Sequence, residues 1–183
     1  MLHLQRITTA DPELYTYMEE LLIHSFPTDE YRDLEELRNY STPRSEKPFY
    51  NNIILEGDTP VGLLTYWDFQ QFCYIEHFAI DPAKRNGGYG KEALKAVRTL
   101  LNRPIVLEVE EPNEEMAQRR IGFYQREGFQ LWPNAYQQPP YKPGCGFLPM
   151  QLMAYGALDN LRDFETIRTK LYTEVYKVNT QTI

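Results

Sequence analysis

The chain has 183 residues, enough for one domain with a buried core, and its 42% hydrophobic and 25% charged residues are ordinary for a globular protein. Nineteen Lys and Arg against 26 Asp and Glu leave a net charge of −7, which speaks against a general binder of nucleic-acid backbones and mildly favours cationic partners. Cys73 and Cys145 do not make a disulfide framework or a metal-ligand cluster, and His3, His24 and His77 are too scattered for a zinc site.

No stretch reads as a signal peptide and no apolar run is long enough to cross a bilayer. The expectation is therefore a cytoplasmic protein with no metal, no nucleic-acid partner and no membrane partner.

LHLQRI alternates apolar and polar residues as a strand does. A helix follows, with Thr9 or Asp11 as N-cap, Pro12 at its first position and Leu14, Met18, Leu21 and Leu22 at helical spacing; Pro27 ends it. DLEELRNY reads as a second, short helix. FYNNIILEG and TPVGLLTYWDF form two strands joined at Gly57-Asp58, a hairpin signal, and FCYIEHFAI is a third strand that stops at Asp81-Pro82. KEALKAVRTLL is a helix, RPIVLEVEE a strand, and AQRRIGFYQREGF a helix closed at Gly128. The segment WPNAYQQPPYKPGCGF reads as a Pro-rich loop before the strand LPMQLMAYG. The tail LRDFETIRTKLYTEVYKV is helical, with Phe164, Ile167, Leu171 and Val175 on one face that must be buried, against its own domain or against a second subunit of a homodimer. This order implies a mixed α/β domain of the α+β type, built on a mostly antiparallel twisted sheet with an additional C-terminal helix. A single domain over residues 1–183 is expected, with a core at about 2–155 and a helical extension over 158–178.

Between the third strand and its helix lies RNGGYGK, Arg85 to Lys91. Consecutive glycines let backbone N–H groups converge on an anion, and the start of a helix adds unpaired donors and a positive dipole end. Arg85 and Lys91 supply charge. A plain surface turn explains the glycines equally simply. The Walker A pattern fails twice, because Arg85 stands where its first glycine belongs and Glu92 follows the lysine. The dinucleotide pattern fits as Gly88, Gly90 and Ala93, but Asp81 to Gly87 separate strand from glycine and the strands before them look like a meander.

Arg85-x-x-Gly88-x-Gly90 after Ala79-Ile80-Asp81-Pro82 resembles the coenzyme-A motif of the GNAT superfamily of N-acetyltransferases, and GFYQREGF resembles that family's later helix. The likeness covers roughly Leu2 to Tyr155. It implies that acetyl-CoA is a co-substrate whose pyrophosphate is held by the amides of Asn86, Gly87, Gly88, Tyr89, Gly90 and Lys91 with Arg85. It also implies that the backbone of Phe78 and Ile80 pairs with the pantetheine arm. The acceptor would be a small-molecule or peptide amine. Where family members often carry an Asn seven residues before the helix tyrosine, this chain has Ala117, so Asn113, Arg119 or Arg120 substitutes or that contact is missing.

Transfer to an amine needs a base for the ammonium proton and a donor for the departing thiolate. By the same resemblance Tyr124 is the candidate donor. Glu76 is the candidate base, since strand alternation puts it on the face of Phe78; His77 falls on the opposite face as a packing residue, and is a spare base if a bulge resets the register. Glu108 and Glu110, in the acidic run EVEEPNEE, share a face and either line the acceptor side or belong to a solvated loop. A non-catalytic acyl-CoA-binding sensor or scaffold is the alternative from a different class, and a dinucleotide-binding enzyme is the second alternative.

Overall fold

The computed structural model describes residues 2–85 and 87–178. The chain forms two compact units, Met1–Ile105 and Val106–Ile183. In the first unit the order is β1 (Leu2–Ile7), α1 (Pro12–Ser25), a 3-10 turn (Thr28–Glu30), α2 (Leu34–Tyr40), β2 (Phe49–Glu56), β3 (Thr59–Asp68), β4 (Cys73–Ile80), a second 3-10 turn (Pro82–Lys84) and α3 (Tyr89–Leu101). Strands β1 to β4 pair in sequence order, each ladder antiparallel, as the meander of three strands implied.

The local signals act as read. Pro12 opens α1 with Asp11 at its N-cap, although the Asp11 carboxylate turns back to accept from the Thr8 amide at 2.8 Å and does not cap the helix. Gly57, at φ +58°, makes the turn between β2 and β3. Gly62 is required by close approach: a Cβ there would stand 2.5 Å from the Ala79 carbonyl oxygen of the neighbouring strand.

One irregularity matters for the site. The β3–β4 register steps from Thr65↔His77 to Tyr66↔Ile75, so Glu76 has no partner in the ladder and forms a β-bulge. Beyond it, Phe78 and Ile80 pack with Ile54, Val61 and Ala93, the last on α3.

The second unit holds β5 (Ile105–Glu110, its first residue counted in the other unit), α4 (Glu115–Arg126), β6 (Gln130–Leu131), β7 (Tyr136–Gln138), β8 (Leu148–Tyr155) and α5 (Asn160–Lys170), which runs into a π turn, Leu171–Val175. Strand β8 lies between β5 and β6, and β7 also pairs with it, antiparallel. The Pro-rich segment is thus more than a loop. Three of its residues form a strand, and Tyr136 and Gln138 are buried. The apolar stripe of the tail is covered by the chain's own fold: Phe164, Ile167, Leu171 and Val175 are all buried, with the Trp132 and Tyr136 rings against Phe164.

Candidate functional site

The glycine loop forms the head of α3. Gly88 is the N-cap, in the left-handed region at φ +79° and ψ −3°, and a Cβ placed there would meet nothing within 4 Å. The first bond of the helical ladder runs from the Glu92 amide to the Gly88 carbonyl at 3.2 Å, which leaves the N–H groups of Tyr89, Gly90 and Lys91 ahead of the ladder. At Gly87 a Cβ would stand 2.7 Å from the Tyr89 ring, so any other residue there needs that ring to shift. That ring is in turn anchored, its hydroxyl donating to Glu56 at 2.7 Å. Asn86 lies outside the described residues. The donor set and the flanking cations Arg85 and Lys91 suit a diphosphate.

Strand β4 leads into this loop. The Asp81 amide donates across to Val61 of β3 at 2.9 Å, so by alternation the main-chain groups of Phe78 and Ile80 point away from β3. The Ile80 carbonyl accordingly accepts from Arg85 Nε at 3.2 Å. Beside the loop lies a cleft of about 310 Å³ lined in part by Tyr17, Glu20, His24, Asp81 and Pro82. The Tyr17 hydroxyl lies 3.4 Å from Asp81 Oδ2, and burial together with that carboxylate pushes the phenol up to about 12.

Alternation fails at Glu76. The bulge turns its side chain toward the segment that links α1 to α2, and Phe78 packs against the cluster that includes α3, so the two do not share a face as the sequence pattern suggested. The Glu76 carboxylate has 0% of its side-chain surface exposed, and the residue's remaining exposure belongs to its main chain. Its Oε1 is paired with the Arg32 guanidinium and its Oε2 accepts from Trp67 Nε1 at 3.2 Å.

His77 turns to the same segment and not to an opposite face. Its Nε2 lies 2.9 Å from the Glu30 carbonyl, its Nδ1 lies 3.2 Å from the Thr65 hydroxyl, and its ring stands edge-on to Phe26. A carbonyl can only accept, so Nε2 carries the proton and Nδ1 accepts. Burial holds the imidazole below its ordinary pKa, outweighing the Glu76 charge, and the ring is neutral. The unfolded chain then takes up a proton below about pH 6.5 that the folded chain refuses. Stability from this group is therefore fully present above that pH and is lost on acidification, by up to about 1.4 kcal/mol per pH unit. Urea denaturation between pH 7.5 and pH 5 should show this slope, and His77→Gln should flatten it.

In the second unit, Tyr124 lies on α4 with its ring against Phe123 and Phe129. Burial pushes its hydroxyl up to about 12. The helix ends in a Schellman motif: the Phe129 amide donates to the Tyr124 carbonyl and the Gly128 amide to the Gln125 carbonyl, both at 3.0 Å, with Gly128 at φ +90°. Glu108 does not lie in a solvated loop. Its Oε1 accepts from the Tyr136 hydroxyl and its Oε2 from the Tyr176 hydroxyl, the latter at 2.7 Å. Glu110 pairs with Arg120. Among the described residues, no group of three or more His, Cys, Asp and Glu could hold a metal, and no helix is long and apolar enough to cross a membrane.

Sequence reasoning missed Arg32 and the phenols around Glu108. Arg32 is 44 residues from Glu76, and Tyr176 is 68 from Glu108, so no local pattern joins them.

A model of the acetyltransferase (GNAT) family matches residues 12–129, which include the glycine loop and the Tyr124 helix. A GNAT-family protein of Bacteroides thetaiotaomicron is 58% identical over 97% of this chain and 99% of its own, with a TM-score of 0.93. The fold is shared more distantly with the ribosomal-protein-S18-alanine N-acetyltransferase of Escherichia coli, at 20% identity over 87% of this chain and 98% of that one, TM-score 0.58. It is shared also with a GNAT family acetyltransferase from Elizabethkingia anophelis with acetyl-CoA bound, at 17% identity over 84% and 97% of the two chains, TM-score 0.55. No curated protein matches the sequence. By the span of the family model and the identity to the Bacteroides protein, this chain belongs to the GNAT family of acetyltransferases.

Proposed function

We propose that the chain works as a single acyl-CoA N-acyltransferase domain that transfers an acetyl group from acetyl-CoA to a primary amine, on a small molecule or a peptide, by direct attack with both substrates bound. The observation that carries this reading is the head of α3, where Gly88 in the left-handed region exposes the amides of Tyr89, Gly90 and Lys91 ahead of the helical ladder. Those amides, with Gly87, Arg85 and Lys91, hold the diphosphate; Asn86 belongs to the same loop. The outward main-chain groups of Phe78 and Ile80 take the pantetheine arm as an added strand. The acetyl-CoA bound by the Elizabethkingia protein supports this choice of co-substrate.

Glu76 is the proton acceptor. Each of its oxygens keeps a second lone pair after the contacts with Arg32 and Trp67. No side-chain surface is open to water, so proton transfer to it requires the side chains around it to move aside. Tyr124 keeps its proton throughout the working pH range and donates to the departing thiolate.

Thiol release measured with acetyl-CoA and a panel of amines and peptides tests the reading. At least one amine should raise release well above hydrolysis, and Glu76→Gln should lower kcat on that amine by about 10²-fold or more. A protein that binds acetyl-CoA while no amine stimulates release is a binding module, and the transferase reading is then wrong.

A further inference from the structure

The geometry points to Arg32 as the positioning residue that aims the Glu76 carboxylate, an inference that rests on Glu76 being the proton acceptor. Glu76 sits at the bulge, which turns its side chain toward the segment joining α1 to α2 but leaves the plane of its carboxylate to be set by side-chain contacts. Two side-chain donors set it. Arg32 takes Oε1 and the Trp67 indole takes Oε2, and together they pin the plane of the carboxylate.

Arg32 is itself enclosed by three rings and a second carboxylate. Its side chain is 2% exposed, its guanidinium carbon lies 4.9, 5.5 and 5.9 Å from the ring centres of Tyr40, Trp67 and Phe49, and its Nη1 is 3.8 Å from Glu36. The Tyr40 hydroxyl fixes Glu36 in turn, at 2.7 Å. The strand reaches the same segment a second time through His77 and the Glu30 carbonyl. The charged and titratable groups around the carboxylate are therefore Arg32 from the segment joining the two helices, Glu36 from α2, and neutral His77 on its own strand.

Stability is a poor reason for this arrangement. A buried ion pair recovers its desolvation cost only with good geometry, and apolar side chains of similar size hold such segments together equally well. What apolar side chains cannot do is orient a carboxylate. A guanidinium gripped between aromatic faces does so, and a flexible ammonium supplies the charge without the direction.

Arg32→Gln and Arg32→Lys, compared with Glu76→Gln in the thiol-release assay, test the inference. Arg32→Gln is expected to lower kcat at least tenfold and leave the KM for acetyl-CoA within twofold. Arg32→Lys is expected to recover part of that loss and still fall at least threefold below the parent kcat. A folded Arg32→Gln protein, judged by near-UV circular dichroism, with the parent kcat overturns the inference. If Arg32→Gln does not fold, Arg32→Lys decides, and the parent kcat in that variant overturns it. Glu76→Gln separates the two readings: full activity there removes Glu76 as the acceptor, whereas inactive Glu76→Gln beside unaffected Arg32 variants removes Arg32 alone.

Discussion

Replacing Gly88 by Asp is expected to weaken acetyl-CoA binding by at least about 100-fold, or roughly 2.7 kcal/mol, while leaving the fold intact. The reasoning is electrostatic and not steric, because a Cβ at Gly88 meets nothing within 4 Å. Asp is among the few residues that tolerate the left-handed region, and it is a favoured N-cap whose carboxylate accepts from the second or third amide of the helix. At this position it would seize the amides assigned to the diphosphate and hold a negative charge where the ligand's charge belongs. Gly88→Ala is the matching control. It carries the conformational penalty of about 1–2 kcal/mol without the charge, so its binding loss should be the smaller of the two. Calorimetric titration with acetyl-CoA reads both variants, and parental affinity in Gly88→Asp would remove the diphosphate from this loop.

The parts of the fold legible in the sequence were those set by neighbours along the chain. Pro12 starting a helix, Gly57 turning a hairpin and the 3.6-residue stripe from Phe164 to Val175 are all local, and each stands in the structure as the pattern implied. The glycine loop was legible too, because its geometry follows from a left-handed Gly88 and the helix it opens. The environment of Glu76 was not. Strand alternation assumes an unbroken ladder, and the bulge at that residue reverses its side relative to Phe78. Nothing in FCYIEHFAI encodes the bulge, which arises from how β3 and β4 pair around Thr65 and Tyr66. The Pro-rich segment failed for a related reason. Prolines and glycines mark it as a loop, but Tyr136 to Gln138 find a pairing edge on β8 that only the tertiary fold supplies. The acidic run misled in one place, since Glu108 looked solvated until phenols from β7 and from the end of the C-terminal π turn closed over it.

The pattern Tyr-x-x-x-Gly-Phe at the end of α4 raises the sharpest remaining question, because capping geometry alone accounts for it. Gly128 supplies the left-handed residue, and the Phe129 ring packs on Tyr124 at 5.4 Å in the contact that accompanies a Schellman motif. A phenylalanine at position 124 would serve that purpose as well as tyrosine. Tyr124→Phe therefore isolates the hydroxyl. It keeps the ring, the cap and the burial, so thermal stability should change little. If the hydroxyl protonates the departing thiolate, kcat should fall by about 10²-fold or more, with the KM for acetyl-CoA within twofold. The pH profile adds a second reading. Because burial pushes the hydroxyl up to about 12, the parent enzyme should show no basic limb from Tyr124 at or below about pH 9. Parental kcat in Tyr124→Phe would reduce the residue to its capping role and leave the thiolate to be protonated from elsewhere.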